Sequence, residues 1–443
     1  MKRILFLLSV ALCSVCSVLG AAVPELSNVT TNIHGRKVTI AYNLSTVPAI
    51  VTARISLGGT PVPAALLENA PCNRIVRESS NVIRFSMPQN LAVDGEFDVQ
   101  LRAYSLSNPP DYAVFDLGAY GDVVRVPDNR TASRFYEREA DIPGGIHASI
   151  YATTSLVMRR IPAAGKTWRM GTSKNMNASV INRCIPRMVT LTRDYYISVF
   201  EFTCGQAYNV WGAHRPRGWD AGFERKPLHK VYFSEIRGNV KGRLWPALGE
   251  NEEYAHQVDD NSLISDLRAA TGIALMDIPT SAQWEFAYRA GCDANNYWGL
   301  DWADDSKLAG SVAIANQYCW SKSSSDGGGH LYEVGQLLPN AWGLYDMSGN
   351  QGEVVLDWFA TGDYLSVGEN EVDPRGPAED TVRGHPYANP TRTIRGGNAT
   401  GTADSCVGTC ISSVYSTQAE GAAIDWYLMT FRPTCPVDMS AFQ

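Results

Sequence analysis

The 443-residue chain has no run of five basic residues, and its 38 Lys and Arg stand against 45 Asp and Glu, for a formal net charge of −7. That deficit argues against a sequence-independent grip on nucleic-acid phosphates, so no nucleic-acid partner is expected. Beyond residue 22 no stretch approaches the ~18 uninterrupted apolar residues that span a bilayer, so no transmembrane segment is expected in the mature chain. A Cys-x-x-Cys is missing after residue 22 and a His-Glu-x-x-His is missing throughout, which disfavours zinc knuckles, thioredoxin-like redox motifs and zincins. There is no Gly-x-Ser-x-Gly elbow for a serine hydrolase, and the seven histidines are scattered without close pairs. Charged residues reach only 19%, below the usual ~25%, while 38 Gly and 11 Trp point to a loop-rich protein rather than a long-helix one.

What is present begins with a leader. Lys2 and Arg3 precede an apolar run from Ile4 to Leu19, followed by Gly20, Ala21 and Ala22, the layout of a secretory signal peptide cleaved near Gly20 to Ala22. Cys13 and Cys16 are preceded by Leu12 and Val15 rather than by small residues, which argues against lipid attachment. A secreted or periplasmic protein is expected, with eight mature cysteines: Cys72, Cys184, Cys204, Cys292, Cys319, Cys406, Cys410 and Cys435. An even number in an oxidising compartment permits disulfides without fixing their pairing. Sequons at Asn28, Asn43, Asn129, Asn177 and Asn398 matter only in a eukaryotic secretory host, and a bacterial source is expected.

Residues 22–107 alternate with period two. Val38, Ile40 and Tyr42; Val51, Ala53 and Ile55; Val82, Ile83 and Phe85; and Phe97, Val99, Leu101 and Ala103 mark strands separated by Gly58-Gly59, Pro61, Pro63 and Asp94-Gly95. Short strands at that spacing predict an immunoglobulin- or fibronectin-like β-sandwich, with a spacer or docking role. Residues 108–153 read as a connector carrying the strand-like Tyr112 to Leu117. Two helices follow. One covers Ser265 to Thr271 with Leu263 on its stripe and stops at Gly272. The other opens on a capping box of Thr280 and Gln283, lines up Trp284, Ala287 and Tyr288, and ends with Gly291 in the left-handed C-terminal position.

The second half carries ordered phrases: Arg160 to Gly165 with Met170-Gly171, Val189 to Thr203, Leu275 to Gly291, Pro339 to Asn350, Arg395 to Asn398, and Phe431-Arg432. Over residues 154–435 this series resembles the sulfatase-modifying factor family, the formylglycine-generating enzyme domain with its C-type-lectin-like fold. The implied fold class is α+β: an N-terminal β-sandwich, a loop-rich lectin-like domain, and a tail at 436–443. The ergothioneine-synthase branch of that family draws its iron ligands from a preceding helical domain, and here the preceding domain reads as β.

The resemblance also implies metal chemistry. The stretch Gly349-Asn350-Gln351-Gly352-Glu353 is similar to a calcium loop of the family, with Gly352 and Val354 where the family usually has tryptophans. Asn316 with Asp326 is a second candidate, since calcium wants six to eight oxygens from carboxylates, amides and loop carbonyls. Enzymes of the family oxidise a substrate cysteine with molecular oxygen, using copper(I) held by two thiolates, the soft ligands this ion prefers. Counted from Asn398, those positions are Gly401 and Cys406: the second thiol is in register and the first is missing. Cys410 is a candidate replacement within Cys406-Val-Gly-Thr-Cys410.

Two functions therefore stay open. One is an exported binding or structural module for a protein, peptide or polysaccharide, using loops near 315–330 and 360–420. The other is a copper- and oxygen-dependent oxidase that matures sulfatases.

Overall fold

The computed structural model describes residues 22–89, 96–118, 133–172, 185–211, 222–238, 257–301, 309–322, 324, 330–360, 370–377, 391–401, 406–409, 412–415 and 429–439. The leader, Asp326 and Cys410 lie outside these residues. The chain divides into two compact units. The first runs to Phe115 and takes in the segment ending at Ile146 and the C-terminal residues from Val437; the second is chiefly His147–Pro436.

In the first unit the strands are β1 (Leu26–His34), β2 (Lys37–Leu44), β3 (Ala49–Leu57), β4 (Thr60–Pro61), β5 (Arg74–Val76), β6 (Ser80–Ser86), β7 (Phe97–Tyr104), β8 (Tyr112–Asp116) and β9 (Arg134–Tyr136). One sheet has the order β1-β2-β6; the other has β4-β3-β5 with β7 paired to β3. The expected alternation holds on β2, where Val38, Ile40, Tyr42 and Leu44 are buried in turn. They share a core with Val51 and Ile55 of β3, Ile83 and Phe85 of β6, and Phe97 of β7. Apolar residues from both sheets thus face one interior, the sandwich arrangement. Strand β1 had no alternating signature because it is largely exposed, and its register comes from pairing with β2 around an irregularity between Ser27 and Thr30. The Tyr112 strand of the expected connector pairs with β9, and the tail returns to this unit through a hydrogen bond from Met439 N to Leu106 O.

The second unit holds β10 (Ser155–Ile161), β11 (Lys166–Met170), β12 (Arg187–Leu191), β13 (Tyr195–Ser198), β14 (Gly352–Trp358), β15 (Asn370–Val372), β16 (Thr391–Arg395), β17 (Ser412–Tyr415), β18 (Met429–Thr430) and β19 (Thr434–Pro436). Its helices are α1 (Cys204–Trp211), α2 (Phe233–Ile236), α3 (Leu263–Thr271), α4 (Ser281–Arg289) and α5 (Ala309–Ala315). β13 lies between β10 and β19 in antiparallel ladders, β12 pairs antiparallel with β11 and parallel with β15, and the remaining sheet has the order β17-β16-β14-β18. Both expected helices form. Ser262 caps α3, and Gly272 ends it at φ 72°. Thr280 and Gln283 close the capping box of α4, and Trp284, Ala287 and Tyr288 are fully buried on its inner face. The left-handed turn begins one residue earlier than expected, at Ala290 (φ 46°), with Gly291 continuing it at φ 86°.

Among the described residues no helix is long and apolar enough to cross a membrane. Because the Thr280 hydroxyl accepts from Gln283 N at the start of the helix that carries the site, Thr280→Ala is expected to cost about 1 kcal/mol. Urea denaturation of the full chain should show a lower midpoint at unchanged slope.

Candidate functional site

The site is assembled on α4. A helix that buries Trp284, Glu285 and Tyr288 together must give the carboxylate partners, because an unpaired buried charge is costly. Glu285 accepts from Gly171 N at 2.8 Å, pairs with Arg289 at 2.9 Å, and pairs with Arg395 at 3.0 Å. Arg395 also donates to Ser281 Oγ and, at 2.8 Å, to the carbonyl of Gly408, which draws the loop after β16 back over the helix. Gly408 fits there because a Cβ would stand only 2.4 Å from the Tyr288 ring.

A second buried pair lies on the other side of Trp284. Its indole N–H donates to Glu353 at 2.6 Å, and Arg432 takes both oxygens of that carboxylate while donating to the carbonyls of Ser198, Val199 and Tyr345. This is the environment of the expected calcium loop. Asn350 donates to Glu201 at 2.7 Å and accepts from Tyr332 N at 3.0 Å, and Gln351 N donates to the other Glu201 oxygen. A cation at Glu353 would have to displace a guanidinium. Asn316 sits half-buried on the turn after α5, and its proposed companion Asp326 lies outside the described residues. Among the described residues, no group of three or more His, Cys, Asp or Glu is gathered to hold a metal ion.

Sequence reasoning missed Glu201 and Asp346 here. Each is one carboxylate inside a predominantly apolar phrase, and only the fold brings them to the same arginine. Burial, helped by Asp346 and Glu353, pushes Glu201 well above the usual carboxylate range. Burial likewise lifts Asp346 to about 6, although Gly335 N donates to it and Arg432 is near.

The thiols occupy the adjoining loops. Gly401, where the resemblance calls for the first cysteine, closes a turn on the Asn398 side chain: its N–H donates to Asn398 Oδ1 at 3.1 Å, and its carbonyl accepts from Lys322 N at 2.8 Å. Cys406 is fully buried and donates to Asn398 O at 3.5 Å. Cys410 lies outside the described residues. The thiol that approaches Cys406 is Cys319, on the segment after α5. Contact with Cys406 and burial push the Cys319 thiol well above its ordinary value. The only sequence signal for this neighbour was the even cysteine count. Gly349 permits the approach: it is left-handed (φ 76°), and a Cβ there would stand 2.0 Å from Trp320 O and 2.9 Å from Cys319 Sγ.

Two expectations follow. Gly349→Ala meets both a strained φ and a backbone clash, so a loss of at least ~3 kcal/mol is expected in chemical denaturation of the full chain. Asp346 titrates near 6 in the folded chain and near ~3.9 unfolded. The folded state therefore holds the proton more tightly, and this group's contribution is fully present below pH ~4 and falls by ~3 kcal/mol as pH rises past 6. Denaturation at pH 4 and pH 6.5 should show that decline in the parent chain and a flatter profile in Asp346→Asn.

A model of the sulfatase-modifying factor enzyme 1-like domain matches residues 167–411. The formylglycine-generating enzyme of Thermomonospora curvata is 30% identical over 108 residues, 24% of this chain and 35% of that enzyme. The chaperone protein LppX of Paenibacillus barcinonensis is 28% identical over 189 residues, 39% of this chain and 65% of the relative. The chain thus spans about a third of the enzyme and just under two thirds of the chaperone. Among solved structures, PvdO from Pseudomonas aeruginosa superposes with a TM-score of 0.45 at 18% identity, covering 63% of this chain and 94% of that one. The family match extends over more than half of the residues and contains α4, both expected calcium loops, Gly401 and Cys406. The chain belongs to the sulfatase-modifying factor enzyme 1-like family.

Proposed function

We propose that this is an exported member of the family that works as a binding or structural module rather than as an oxidase. The observation that carries the reading is Gly401: the position of the first copper thiolate is a side-chain-free residue held in a turn by Asn398 and Lys322. A metal centre stripped of half its ligands does not bind as the complete site does. The leader Lys2 to Ala22 supports export, and the match to a protein named as a chaperone supports a role outside oxidation. The ligand class is protein, peptide or polysaccharide, held by the loops near 315–330 and 360–420.

The rival reading, a sulfatase-maturing oxidase, is favoured by one observation: Cys319 brings a second sulfur to Cys406. Two sulfurs suit copper(I) as donors. Yet both are at most 1% exposed, whereas the family reaction requires a peptide thiol to reach the metal. The pair therefore does not fit the catalytic role.

The test is to incubate the full chain with a peptide carrying Cys-x-Pro-x-Arg, copper and oxygen. No aldehyde above the background of protein-free controls is expected. Aldehyde formed over repeated turnovers overturns the binding-module reading.

A further inference from the structure

We propose that Cys319 and Cys406 are the two ends of a disulfide that ties the segment after α5 to the loop after β16. The backbone already holds these segments together. Lys322 N donates to Gly401 O at 2.8 Å, Asn350 N to Trp320 O at 3.0 Å, Ala399 N to Asn350 O at 3.0 Å, and Gly349 N to Gly396 O at 2.8 Å. Gly349, bare of a side chain, leaves room for Cys319 Sγ beside that stitching. Both cysteines are thiols in this structure and both are buried. The hydrogen bond from Cys406 to Asn398 O, at 3.5 Å, is a weak one.

The chemistry is thiol–disulfide exchange with a small-molecule or protein disulfide as oxidant. One cysteine, as thiolate, attacks a sulfur of the donor disulfide and displaces one donor thiolate. The second cysteine attacks the resulting mixed disulfide and displaces the other. The two cysteines lose two electrons and two protons, and the donor leaves as two thiols. Cys319 and Cys406 are at most 1% exposed in the folded chain, so a bulky donor disulfide cannot reach them there. Exchange therefore takes place before folding is complete, and the finished bond is shielded from reductant.

The test uses the full chain, reduced and denatured, then refolded in a mixture of oxidised and reduced glutathione, quenched by alkylation and mapped by mass spectrometry. The expected result is one cross-linked pair of peptides containing Cys319 and Cys406, lighter by two hydrogens than the reduced peptides and alkylated only after reductant is added. In Cys319→Ser, Cys406 is expected to become fully alkylated without reductant. Alkylation of both cysteines in refolded parent chain, or a cross-link from Cys406 to Cys410, overturns the proposal; the parent map alone decides it where the variant does not fold. The proposal is independent of the binding-module reading, since the absence of a cross-link leaves Gly401 as it is and aldehyde formation is measured separately.

Discussion

The second unit is organised by the need to neutralise two carboxylates buried with an aromatic helix. Glu285 and Glu353 flank Trp284, and each is met by an arginine from a distant part of the chain, Arg395 and Arg432. Removing Arg432 would strip Glu353 of its ion pair in a dry interior, a far larger penalty than losing one packing contact, while removing Arg395 would leave Glu285 to Arg289 alone. Because Arg395 and Arg432 also donate to the carbonyls of Gly408, Ser198, Val199 and Tyr345, the same two side chains fix where the loops run. A domain with short ladders needs such substitutes, since its loop carbonyls have few strands to pair with.

Much of this was legible without coordinates. The capping box at Thr280 and the alternation at Val38, Ile40 and Tyr42 are local signals, and local signals survive in sequence. The ordered phrases around Met170-Gly171, Trp284-Glu285, Arg395 and Arg432 showed the fold but not its reason, which is that Glu285, Arg395 and Arg432 are ends of two buried ion pairs and Gly171 N is a further donor to one of them. The Asn350 to Glu353 loop was read as oxygen-rich and suited to a cation. The arginine that meets Glu353 lies 79 positions away, beyond any pattern of spacing. Strand β1 was illegible because exposed residues leave no periodic trace. The neighbour of Cys406 was hidden for another reason: two single cysteines far apart carry no motif, and the glycine at 349 that makes room for Cys319 lies in a third segment.

The carboxylates beside Arg432 show how closely this interior is balanced. Glu201, Asp346 and Glu353 share one guanidinium, and burial drives the first two toward their neutral forms. Carboxylates, with ordinary values far below neutrality, are thereby moved toward the pH range where histidines usually act.

The turn at Asn398 has one more consequence. Gly401 is fastened by Asn398 and Lys322, and Gly408 by Arg395, so the residues between them begin and end at pinned points. Cys406 and Val407 within that stretch are themselves buried, so a change in its length is expected to fall between Gly401 and Cys406. Closing a longer loop is cheap, about 0.6 kcal/mol for each doubling. Fixed ends thus confine the cost of such a change to closing the loop, and leave Arg395 and Asn398 bonded as the buried site requires.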